Sequence, residues 1–101
     1  MNSRYNEWLN SLTDDERDEV VILDAYFATR SPLPDKSAAG NEYVAEHKST
    51  QEISDDLFSM MPVSCRIISK YLILKGYTPM TDTDGTLKWS IWRDMQMSGL
   101  L

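Results

Sequence analysis

The chain is short of almost everything that would commit it to a particular chemistry. Its one cysteine, Cys65, has no second thiol with which to form an internal disulfide and suits a reducing cytoplasm. Its one histidine, His47, has no cysteine or histidine partner at metal-ligand spacing, so no metal and no other cofactor is expected. No apolar run approaches the roughly 20 residues that cross a bilayer, and no basic-then-apolar leader opens the chain. A glycine-rich phosphate loop and a nucleophile elbow are both missing. The acids lie at helix starts and on solvent faces, whereas acid–base catalysis needs them converging in a cleft. No catalytic residue is assigned, and an enzyme is not expected.

Positive charge is also scarce. Ten Lys and Arg stand against sixteen Asp and Glu, a formal net charge of −6. The imbalance is uneven: residues 1–48 hold ten acids and five bases, residues 49–101 six acids and five bases. Nucleic-acid binding normally leaves a basic footprint, because phosphate neutralisation supplies most of the affinity. Here the only such patch is a small one made from Arg66, Lys70, Lys75 and Lys88. With 42% hydrophobic and 26% charged residues the composition is ordinary for a globular protein. At 101 residues the chain suffices for one domain with one modest core, and it carries no internal repeat or low-complexity segment.

What is present is organised around residues 49–92. Ser49 followed by Glu52 is a capping box, opening a short helix on which Ile53 and Leu57 share a face and Gln51, Asp55 and Asp56 point to water. Phe58, Met60 and Met61 fill the turn, and Pro62 suits the first turn of a second helix over residues 63–75. At about 100° per residue, Cys65, Ile67, Ile68, Tyr71, Leu72 and Leu74 spread over a wide apolar arc, which predicts a buried, inert thiol. Arg66, Ser69, Lys70 and Ile73 share the remaining arc. Lys75 complements the helix dipole, and Gly76 is placed to take the left-handed position that ends the helix.

A hairpin follows. Residues 77–80 lead into Asp82-Thr83-Asp84-Gly85, and residues 86–93 return; Asp-Gly between two β-prone runs is a strong hairpin signal. Leu87, Trp89 and Ile91 should cover the core, leaving Lys88 and Arg93 to reach a phosphate backbone. The tip, with Asp82 and Asp84, is unsuited to a minor groove.

Upstream, Tyr5, Trp8, Leu9 and Leu12 form one stripe of a helix over residues 3–12. Thr13 and Glu16 make a second capping box for a helix over residues 14–29, whose first turn carries Asp14 and Asp15. Val20, Leu23 and Phe27 form its apolar row, widened by Val21, Ile22, Ala25, Tyr26 and Ala28. Such width suggests burial on two sides, by the protein's own core and by a second copy, although a plain core helix accounts for it too. Residues 31–40, with two prolines, read as a mobile loop. Residues 41–47 read as one helical turn, or as a short strand joining the hairpin. The tail, residues 94–101, would fray or dock Met95, Leu100 and Leu101 on a neighbour.

The order of a short capped helix, a turn, a second helix and a hairpin over residues 49–93 resembles the winged helix-turn-helix superfamily. The resemblance implies a mainly α, α+β fold in which two N-terminal helices precede the winged unit. It also implies a small cytoplasmic regulator of transcription, a dimer, that binds double-stranded DNA. On that reading Arg66 and Lys70 contact DNA from the second helix, supported by Ser64 and Ser69. Lys75, Lys88 and Arg93 complete the set.

Two other readings fit the same residues. One is an acidic protein-interaction module, or an inhibitor of a nucleic-acid-binding protein such as phages and mobile elements encode. Asp14, Asp15, Asp18 and Glu19 of the acidic front half, with Ile73, would form its partner interface. The other is an accessory domain of a replication protein.

Overall fold

The computed structural model describes residues 3–94, so the tail contacts expected of Met95, Leu100 and Leu101 lie outside the described residues. It is an α+β fold of four helices and a small antiparallel sheet. Helices α1 (Ser3–Ser11) and α2 (Asp14–Tyr26) come first, and a 3-10 turn, Phe27–Thr29, ends in strand β1 (Arg30–Ser31). Strand β2 (Val44–Lys48), helices α3 (Thr50–Leu57) and α4 (Cys65–Leu74), and strands β3 (Thr78–Thr81) and β4 (Leu87–Arg93) complete it.

Local chemistry sets most of these boundaries. Both capping boxes are present: Thr13 and Ser49 each accept from a backbone N–H three residues on, and Glu16 and Glu52 reach back to the cap N–H. At the far end of α4, Gly76 (φ 90°) donates to the Ile73 carbonyl at 3.1 Å and Tyr77 to the Leu72 carbonyl at 2.9 Å. That pair of bonds is the Schellman closure, with glycine in the left-handed position a Cβ disfavours. The start of α4 differs from expectation. The helix begins at Cys65, and Ser64, whose hydroxyl accepts from the Ile67 N–H, is its cap; Pro62 lies outside the first turn. A side-chain oxygen at Ser64 satisfies an end donor, which a proline two residues upstream cannot do.

β4 is the centre of the sheet. β2 runs antiparallel along one side of it, while β3 and β1 lie end to end along the other. Pro79 sits in β3, an edge strand where a missing donor is tolerated. Residues 31–43 are not a featureless loop. They return on themselves through the Lys36↔Glu42 bridge, and a turn puts Gly40 at φ 86°. Gly40 donates to the Ser37 carbonyl and Ser37 to the Asn41 carbonyl, just as Gly85 donates to Asp82 and Asp82 to Thr86 in the β3–β4 hairpin. Both are three-residue turns closed by a glycine bulge.

The core gathers Val20, Leu23 and Phe27 of α2, Ile53 and Leu57 of α3, Ile67, Ile68, Tyr71 and Leu72 of α4, and Trp89 and Ile91 of β4. Tyr5, Trp8 and Leu9 of α1 pack on its rim. The wide apolar girdle expected of α2 is buried on one side only, since Val21 is 63% exposed and Ala25 and Ala28 are exposed too. Leu87, expected to cover the core, is exposed because the hairpin extends past it.

One polar cluster joins three strands. Glu46 of β2 accepts from Arg30 of β1 at 2.9 Å and from Arg93 of β4 at 3.2 Å. Arg30 also donates to the Tyr26 carbonyl at 2.6 Å, lies 3.9 Å over the Tyr26 ring, and keeps only 7% of its side chain exposed. Removing a carboxylate from such a site leaves desolvated positive charge behind. Glu46→Ala should therefore lower the unfolding free energy by about 3 kcal/mol. Asp14→Ala, at a carboxylate whose side chain is 99% exposed, should change it by less than about 0.5 kcal/mol in the same denaturant titration.

Candidate functional site

Helix α4 presents a sharply divided surface. Ile67, Ile68, Tyr71, Leu72 and Leu74 are buried, while Cys65, Arg66, Lys70 and Ile73 are exposed, Ile73 at 55%. Arg66 and Lys70, one turn apart, therefore project outward on one face. Cys65 corrects the expectation of a buried thiol: at the first position of the helix it lies beyond the core and meets Gln51 Oε1 at 3.8 Å.

The other members of the expected nucleic-acid set are placed differently. Ser64 spends its hydroxyl on the helix cap, and its N–H donates to Glu19 at 2.8 Å. Ser69 is half-buried, its hydroxyl 3.3 Å from that of Thr50. Lys75 lies at the opposite end of α4, its ammonium 4.1 Å above the Tyr5 ring. Lys88 is not available to a phosphate backbone. It pairs with Asp82 at 2.9 Å and reaches Asp84 at 3.9 Å, the two acids of its own hairpin tip, with 19% of its side chain exposed. Arg93 is likewise committed to Glu46. Arg66 pairs with Glu16 of α2, although its side chain is 70% exposed. Among the described residues, Lys70 is the one α4 cation shown with neither an acidic nor an aromatic partner.

The acids of α2 are also not all turned to solvent. Glu16 meets Arg66, Glu19 caps the start of α4, and Asp24 accepts from the Tyr71 hydroxyl at 2.7 Å. Of the four acids expected to face a partner, Asp15 and Asp18 are exposed, Asp14 pairs with Arg17 at 3.1 Å, and Glu19 is used internally. A signal for these contacts exists in the sequence. Glu16 lies one turn before Val20 on the row of Val20, Leu23 and Phe27, and Glu19 and Asp24 border that row.

Electrostatics follow from these contacts. The Thr13 N–H, joined by the Arg66 guanidinium, holds the Glu16 carboxyl below its ordinary range. The Ser49 N–H does the same for Glu52, the Lys88 ammonium for Asp82, and the Thr86 hydroxyl for Asp84. Burial pushes the Tyr77 phenol up to about 12, and burial with the Asp24 carboxylate raises Tyr71 further.

Open clefts are present among the described residues. One of about 260 Å³ is lined by Pro34, Asp35, Lys36, Glu42, Tyr43 and Trp92. Another, of about 290 Å³, lies between Asp24, Phe27, Arg30, Pro32, Tyr71, Lys75 and Tyr77. Its guanidinium is already held by Glu46, which leaves little for an anion to gain there. Among the described residues no group of three or more His, Cys, Asp or Glu side chains could hold a metal ion, and no helix is long and apolar enough to cross a membrane.

No family model matches the chain, and no curated protein or solved structure matches it either. Its own geometry is therefore the ground for a functional reading.

Glu16, Glu52, Asp82 and Asp84, all held low, contribute stability that is present above the ordinary carboxylate range and lost as pH falls through their folded values. The denaturant midpoint should stay level from pH 7 to about 5 and fall below about pH 4. Glu52→Gln keeps an acceptor for the Ser49 N–H but cannot titrate, so its acid decline should be shallower. A midpoint unchanged down to pH 3 would contradict this.

Proposed function

We propose that the protein is a small DNA-binding regulator of the winged-helix kind, a binding protein and not an enzyme, which reads double-stranded DNA with the exposed face of α4. The observation that carries the reading is the outward projection of Arg66 and Lys70 from a helix braced behind by α2 and α3 and followed by the β3–β4 hairpin. The order α2, β2, α3, α4, β3, β4, with β4 between β2 and β3, supports the winged-helix assignment. Two cations one turn apart offer phosphate contacts, and a helix edge of this kind fits a major groove. With most other cations paired internally, binding is expected to be weak, with a shallow salt slope set by the one or two phosphates it can neutralise.

A second reading is favoured by a specific observation. Ile73 is exposed in the middle of the α4 face, and Phe58 and Met60, at 69% and 57%, protrude from the α3–α4 turn. These side chains suit an apolar protein surface better than a phosphate backbone, as an acidic interaction module or inhibitor would require. Asp15 and Asp18 would then face basic groups of the partner.

The two readings separate in one titration. Binding to a random-sequence duplex, followed by fluorescence anisotropy at low salt, should weaken roughly linearly in log–log form as salt rises. Lys70→Ala should weaken it at every sequence and reduce the salt slope by about 1. Arg66→Ala should cost less, because Glu16 already holds that side chain. The absence of any salt-sensitive binding would sink the DNA reading in favour of the protein-partner one.

A further inference from the structure

We propose that the Glu16 carboxylate occupies the place of a DNA phosphate on Arg66, so that the protein restrains its own nucleic-acid binding until that contact is released. The inference rests on the DNA-binding reading and deepens it.

Four observations converge on it. Arg66 Nη2 donates to Glu16 Oε2 at 2.5 Å, the charge-assisted pairing a phosphate oxygen would offer. Glu16 is held in position by its second oxygen, which accepts from the Thr13 N–H at 2.9 Å within the capping box. One turn further along α2, the Glu19 carboxylate lies at the start of α4 on the Ser64 N–H. Two negative charges of the same helix thus stand at the end of α4 that carries Arg66. The contact is also weak enough to yield, since the Arg66 side chain is 70% exposed and ion pairs in that setting are marginal. A pair sealed in the core, such as Arg30 with Glu46, has no such latitude.

The chemistry of Glu16 permits a clean test. Glu16→Gln keeps the oxygen that accepts from Thr13, so the cap of α2 is preserved while the charge is removed. Asp15→Asn serves as control, since it removes the same charge from the neighbouring, exposed position. Anisotropy titrations of both variants with a random-sequence duplex are compared at several salt concentrations, with thermal melts to verify folding.

Glu16→Gln should bind roughly two- to fivefold more tightly than wild type and steepen the salt slope by about 0.9, one further phosphate contact. Arg66→Ala placed on Glu16→Gln should erase that gain, showing coupling between the two positions. An equal gain in Asp15→Asn would reduce the effect to net charge and overturn the inference. Wild-type binding that Glu16→Gln leaves unchanged in affinity and slope would overturn it too, with the DNA reading intact. No salt-sensitive binding in any variant would overturn the DNA reading itself.

Discussion

The packing of α2 across α4 is the contact on which the rest of the structure depends. Val20, Leu23 and Phe27 share one core with Ile67, Ile68, Tyr71 and Leu72, and Glu16, Glu19 and Asp24 reach over the same seam to Arg66, the Ser64 N–H and the Tyr71 hydroxyl. The apolar part supplies the stability, because area removed from water acts in any direction and needs no partner geometry. The polar part fixes orientation. Hydrogen bonds from three successive places on α2 favour the orientation of α4 in which Cys65, Arg66, Lys70 and Ile73 are turned outward.

That arrangement changes the meaning of the charge imbalance. A net charge of −6 would ordinarily count against any nucleic-acid partner. Much of the acid is internal bookkeeping: Glu46 answers Arg30 and Arg93, Asp56 answers Lys48, and Asp82 answers Lys88. The consequence is double-edged. The acids of α2 do not form one continuous negative surface, yet the cations of the hairpin are not on offer either. What α4 presents is narrower than the sequence suggests, with Lys70 open, Arg66 held lightly and the apolar Ile73 beside Arg66 in the exposed arc.

Elements whose cause is local were legible in the sequence. Both capping boxes, the glycine closure of α4 and the Asp-Gly hairpin depend on residues within five positions of one another, and each is present where expected. Residues 44–48 join the sheet as the short strand that was one of two alternatives. Features that depend on distant partners were not legible. The ion pairs of Lys88 and Arg93, the burial limits of α2, the bridged return of residues 31–43 and the pairing of β1 with β4 follow from how elements meet. Cys65 departs from the buried site its arc implies because a position at the end of a helix can fall on the apolar arc and still lie beyond the core it points toward.

A DNA-binding role requires the outer face of α4 to be the surface that meets the duplex. Backbone amide chemical-shift mapping during titration with a random-sequence duplex at low salt addresses this most directly. The largest changes should cluster on residues 65, 66, 69, 70 and 73, with little change along β2 or the 31–43 return. Changes confined to other elements, or none at duplex concentrations in excess of the protein, would contradict it.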